Sequence, residues 1–136
     1  MNMQKQITII GATAGVGLLT MKQALERGHK VITLSRSVSP LNSHPHLTSI
    51  QGSATNSEDL KKAITNSDAV IVTLGTGKSM KATKLYTDFA TAVIKAQQET
   101  QTNVPFIILT GFGAGNSARY QGFILKTLMD LLLGAI

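Results

Sequence analysis

The chain has 136 residues, 43% hydrophobic and 15% charged, with no cysteine and no tryptophan. This composition fits one globular domain over residues 1–136 and excludes a disulfide framework and a thiolate metal site. The formal net charge of +6 invites a nucleic-acid reading, but the lysines and arginines are scattered and aromatics reach only 4%. No nucleic-acid partner is therefore expected, and a basic surface that attracts anionic cofactors and substrates is the plainer account.

Met1 to Gln6 is polar and runs straight into a strand, so no signal peptide is expected. No apolar run reaches the ~20 residues that span a bilayer, so no membrane partner is expected either. A chain without cysteines fits the cytoplasm.

Ile7 to Gly17 reads Ile-Thr-Ile-Ile-Gly-Ala-Thr-Ala-Gly-Val-Gly. Four β-formers run into a glycine-rich turn, as a buried parallel strand does. A segment with helix spacing follows, carrying Val16, Leu18, Leu19, Met21, Ala24 and Leu25, and closes at Gly28. The N–H groups and positive dipole end of such a helix suit a phosphate. Gly11 makes the turn, Gly15 lets a pyrophosphate approach the backbone, and Gly17 lets helix and strand pack closely. Thr13, Ala14 and Val16 complete the expected dinucleotide loop. The spacing, Gly11-x-x-x-Gly15-x-Gly17, carries weight because a strand precedes it and a helix follows.

Gly-Ala-Thr followed by x-G-x-G resembles the extended and atypical short-chain dehydrogenase/reductases. Within them the chain is most similar to the group of nitrogen-metabolite-repression-type regulators and biliverdin/flavin reductases. The resemblance covers nearly the whole chain.

Lys30 to Ser35 reads as the second strand, with Arg36 at its end. In dinucleotide-binding folds an acid here bonds the adenine ribose of NAD, whereas an arginine accepts the extra phosphate of NADP. No Asp or Glu stands between Glu26 and Glu58. Arg36, Ser37 and Thr13 can form a cradle for a 2′-phosphate, which points to NADP. Val38 to His46, with Pro40 and Pro45, is a loop. Its two histidines have no cysteine partner, so no metal is expected. Leu47 to Gln51 is a third strand. Relatives usually place Gly-Asp next, with the acid near the adenine; this chain has Gly52-Ser53-Ala54, so Ser53 and Ala54 take that place.

Asn56 caps the next helix, whose apolar face is Leu60, Ala63 and Ile64. Ala69 to Thr73 is the fourth strand. The resemblance places its end beside the cofactor, making Leu74, Gly75 and Thr76 contacts. Gly77-Lys78-Ser79 imitates a P-loop, but Val72 stands where that motif needs its first glycine, so an ATPase is excluded. Met80 to about Gln98 reads as a long helix with Leu85, Phe89, Val93 and Ile94 on its buried side. Lys78, Lys81 and Lys84 form a basic face, solvated or turned to an anionic substrate. Val104 to Leu109 is the fifth strand, followed by Thr110 as a substrate-side hydroxyl and by a helix over about Ser117 to Leu133.

The resemblance implies a three-layer Rossmann-type doubly wound parallel sheet, five strands in order 3-2-1-4-5, with right-handed crossovers. It also implies NADPH-dependent reduction of a small planar acceptor, a flavin, quinone or tetrapyrrole. The alternative is a non-catalytic NADP-sensing module acting through a protein partner. The family's catalytic Tyr-x-x-x-Lys is missing: Tyr86 has Ala90 four residues on, Tyr120 has Ile124, and Gly111 stands where the catalytic serine is expected. The last helix carries more apolar residues than one sheet-facing stripe needs, so a homo-oligomer through it is expected. The resemblance is to the family's nucleotide-binding portion, so the family's C-terminal substrate segment is expected not to be represented in these 136 residues.

Overall fold

The computed structural model describes residues 3–37, 43–75 and 84–109. Among the described residues five strands and three helices follow in the order β1 (Gln6–Ile10), α1 (Gly15–Glu26), β2 (Lys30–Ser35), β3 (Leu47–Gln51), α2 (Ser57–Ile64), β4 (Ala69–Val72), α3 (Leu85–Thr100) and β5 (Phe106–Ile108). The strands form one sheet in the order β3-β2-β1-β4-β5, with every pairing parallel. The expected Rossmann-type sheet and its strand order are present. β1 lies at the centre, with Ile9 beside Thr33 of β2 and Ile71 of β4.

Alternation along β1 divides the core between the two faces, because successive side chains leave a strand on opposite sides. Ile10 joins Leu34, Leu60, Ile64, Val70, Val72 and Phe89 in the layer under α2 and α3. Ile9 joins Val31, Met21, Ala24 and Leu25 in the layer under α1. α1 packs on β1 and β2, while α2 packs on α3. Helices thus cover both faces, which is why the inner strands are apolar on both. Thr8 is buried in β1 yet satisfied, donating to or sharing with the Ala63 carbonyl and the Ser67 hydroxyl, both at 2.6 Å.

Several helix and strand assignments need correction. Val16 and Leu19 are more than half exposed, and the buried residues of α1 are Gly17, Met21, Ala24 and Leu25. Ile94 also faces outward; the buried stripe of α3 is Phe89, Ala92 and Ala96. Two alanines let α3 lie close to α2, whereas an isoleucine turned inward there would need a wider gap. α3 begins at Leu85, and the expected start at Met80 lies outside the described residues. β4 ends at Val72 rather than Thr73, and β5 is limited to Phe106–Ile108 rather than extending from Val104 to Leu109. The face of α2 is as expected: Leu60, Ala63 and Ile64 are buried, and the Asn56 side chain accepts from the Glu58 and Asp59 N–H groups at 2.9 and 3.1 Å.

Lys61 ties α2 to α3, reaching Glu58 at 2.6 Å and Glu99 at 2.7 Å. Hydrogen bonds to Glu58 and then Glu99 hold the Lys61 ammonium above its ordinary pKa. The same Lys61 bond holds the Glu99 carboxyl below the usual carboxylate range. Beyond β4, Ile107 and Ile108 of β5, the last strand of the sheet among the described residues, are 60% and 53% exposed, and Leu109 after it is 53% exposed. Among the described residues no helix is long and apolar enough to cross a membrane.

Candidate functional site

A parallel sheet brings all its carboxyl ends to one edge, and the segments that follow β1, β2, β3 and β4 meet there. Gly11 N–H donates to the Leu34 carbonyl at 3.4 Å, Gly52 N–H to the Ser35 carbonyl at 3.0 Å, and Thr73 N–H to the Ile10 carbonyl at 2.9 Å. These bonds join the ends of β3, β2, β1 and β4 into one row. The strand order reverses beside β1, the place where open α/β sheets receive ligands.

The glycine turn is built by contact. A Cβ on Gly17 would run into the Gly11 carbonyl oxygen and the Thr73 hydroxyl. Only a glycine there lets α1 lie this close to β1 and β4. Gly15 is the opposite case: its φ is +54°, and a Cβ would meet nothing within 4 Å. Open space above a left-handed backbone is what an approaching ligand requires. Ala14 has extended backbone, φ −154°, and gives α1 no side-chain cap; the first turn has no acid. Ala14, Gly15 and Val16 are exposed, while Thr13 is half-buried. The first N–H groups of α1 therefore face outward with the positive end of the helix dipole behind them. This arrangement fits the pyrophosphate of a dinucleotide.

Arg36 and Ser37 follow β2 and are exposed. The Gln51 amide donates to the Arg36 carbonyl at 3.3 Å, fixing the backbone that carries the guanidinium. The Ser35 hydroxyl beside them is buried without a hydrogen-bond partner. Ser53 is engaged by its loop and by the first turn of α2: its N–H donates to Asp59 Oδ2 at 2.9 Å, and its hydroxyl pairs with that of Thr55 at 2.8 Å. Ala54 packs against the core. Leu74 and Gly75 lie at the same edge, one half-buried and the other exposed. Thr76 and Thr110 lie outside the described residues.

Two residues at this edge had escaped the sequence reading. Thr73 donates its hydroxyl to the Ile10 and Gly11 carbonyls at 3.2 and 3.0 Å, closing the β4 side of the glycine turn. Its signal was a polar residue ending an apolar run. Asp59, in the first turn of α2, fills the space where Gly52 has no side chain and holds the Ser53 N–H. Two clefts, of about 390 and 290 Å³, lie instead at the amino ends of the strands. One is lined by Asp68, Asn103 and Pro105, the other by Gln6, Lys30 and His46. They are open and shallow, and neither touches the glycine turn. Among the described residues no group of three or more His, Cys, Asp or Glu side chains could hold a metal ion.

Known proteins resemble this chain in sequence or in fold. A 3-beta-hydroxysteroid dehydrogenase of Mycolicibacterium neoaurum is 26% identical over 129 residues, covering 95% of this chain and 33% of that protein. The chain thus spans about a third of the length of this curated relative. The anaerobillin reductase ChuY of Escherichia coli O157:H7 superposes with a TM-score of 0.70 at 18% identity, over 95% of this chain and 62% of that one. The oxidoreductase ylbE of Lactococcus lactis gives 0.69 at 22% identity, over 94% and 58%. A family model described as NAD(P)H-binding matches residues 11–133, from the first glycine of the turn onward. The chain belongs to this NAD(P)H-binding family, as a short-chain dehydrogenase/reductase-like member with a Rossmann-type sheet.

Proposed function

We propose that the chain is one nucleotide-binding domain that selects NADP(H) and presents it to a small planar acceptor, a flavin, quinone or tetrapyrrole. The observation that carries this reading is the uncapped start of α1 over the open Gly15, next to Arg36 at the end of β2. The N–H groups of residues 14–17 hold the pyrophosphate. Arg36, with Ser37 and Thr13, takes the 2′-phosphate, because a guanidinium offers paired donors to phosphate oxygens and no Asp or Glu stands between Glu26 and Glu58 to bind the ribose instead. Ala54 and the backbone around Ser53 border the adenine. Leu74 and Gly75, with Thr76 and Thr110, border the nicotinamide. The bound nucleotide supplies a hydride. The protein orients it and shields it from water, and a solvent proton completes the reduction of the acceptor.

A second reading has its own support in the missing Tyr-x-x-x-Lys. A domain without that proton-transfer pair also suits a sensor that reports NADP through a protein partner. NADPH oxidation followed at saturating FMN or menadione separates the two. Turnover supports the reductase; nucleotide binding by calorimetry without turnover refutes it in favour of the sensor. Failure to bind either nucleotide refutes both.

A further inference from the structure

Tyr86 lies in the first turn of α3 and is 54% exposed. Its hydroxyl donates to the Leu74 carbonyl oxygen at 3.3 Å. Leu74 follows Thr73, the residue that bonds the glycine turn, so the tether fixes the Tyr86 ring at the carboxyl edge of β4. The other described phenyl rings have core roles: Phe89 is buried and Phe106 packs against the same cluster. Tyr86 has no such role, yet its ring is not free to swing.

We propose that the Tyr86 ring is the aromatic wall against which the planar acceptor stacks. This rests on the reading of the carboxyl edge as the nucleotide site and identifies the acceptor's contact within it. A flat π-system gains most from a ring held in advance, because little side-chain freedom is then lost on binding. A tethered tyrosine meets that need; an exposed aliphatic side chain does not. The hydroxyl is already used by Leu74, so Tyr86 positions the acceptor rather than protonating it.

The chain has two tyrosines and no tryptophan, so Tyr120→Phe leaves Tyr86 as the sole strong ultraviolet emitter. In that variant, saturated with NADP⁺ to prevent turnover, FMN should quench tyrosine emission saturably. Tyr86→Leu should weaken FMN binding roughly 2- to 12-fold, the range expected for one aromatic stacking pair. Tyr86→Phe, which keeps the ring but loses the tether to Leu74, should fall between wild type and Tyr86→Leu, and NADP⁺ binding should be unchanged in both. Wild-type FMN affinity in Tyr86→Leu overturns the role of Tyr86 while leaving the nucleotide site standing. Absence of FMN binding in a chain that still binds NADP⁺ overturns the flavin-class acceptor and the stacking wall together. Quenching that never saturates marks random collision and overturns the proposal as well.

Discussion

Gly17→Ala offers the sharpest test of how the glycine turn is built, because two physical effects predict opposite signs. In an exposed helix interior the change should stabilise by about 1 kcal/mol, since alanine is the better helix former. In this structure the new methyl overlaps the Gly11 carbonyl oxygen and the Thr73 hydroxyl. Overpacking of this kind costs about 1–3 kcal/mol. Thr73 can relieve part of it only by rotating away from the Ile10 and Gly11 carbonyls, and each lost bond costs about 0.5–1.5 kcal/mol. The clash outweighs the helix gain, leaving a net destabilisation of about 3 kcal/mol, or roughly 10 °C in Tm for a domain of this size. Thermal unfolding by circular dichroism reads the shift. In a Thr73→Ala background the bonds are already gone, so Gly17→Ala should cost less there, and the coupling is measurable as a double-mutant cycle. A Gly17→Ala protein that melts at or above the wild-type temperature would refute the close-packing argument outright.

Arg36→Ala should weaken NADPH by about 1.5–3 kcal/mol, the worth of a charge-assisted contact, and leave NADH little changed; equal losses by calorimetry remove Arg36 from the 2′-phosphate role. Gly15→Val should abolish nucleotide binding while costing only about 1–2 kcal/mol of stability from its left-handed backbone, and wild-type NADPH affinity would count against the pyrophosphate site. The Glu99 carboxyl is held below its ordinary value by Lys61, so this ion pair stabilises above that value and is lost as the pH falls through the lowered folded one. Wild type should therefore lose slightly more urea resistance than Glu99→Gln between neutral and acid pH, the effect being small for so exposed a pair; parallel losses would exclude the bridge. A homodimer through residues 117–133 should appear by light scattering at tens of micromolar, and a stable monomer would reject it.

The parts of the fold set by local pattern were legible. The bounds of β2 and β3 followed from β-former runs between turn residues, and α2 from Asn56 and its three apolar positions. The glycine turn was legible because Gly11 and Gly15 take the positive φ values that favour glycine, although its closure by Thr73 was not. What escaped depends on contacts that only the folded chain makes, some distant in sequence and some within one loop. Ile94 and Ala96 both fit a helical stripe, and only the closeness of α2 decides which is buried. Thr73 looks like the tail of an apolar strand until strand order sets it against Ile10 and Gly11. Asp59 reads as a helix-start acid until Gly52 leaves room for it. The backbone and hydroxyl commitments of Ser53 were equally invisible, since they belong to a folded loop.

The bond from Thr73 to Gly11 spans 62 positions, and this separation acquires a meaning in time during synthesis. The ribosome makes the glycine turn first and its β4 wall long afterwards. At about 5–20 residues per second, roughly 3–12 s pass between the two. Through that interval β1 can pair with β2 but has no partner on its other side, and Gly17 has no threonine to pack beneath. A nascent chain shorter than β4 therefore carries the whole phosphate-loop sequence without the support that shapes it. Competence to hold a nucleotide should arrive abruptly, when Thr73 clears the exit tunnel, rather than grow with each added residue.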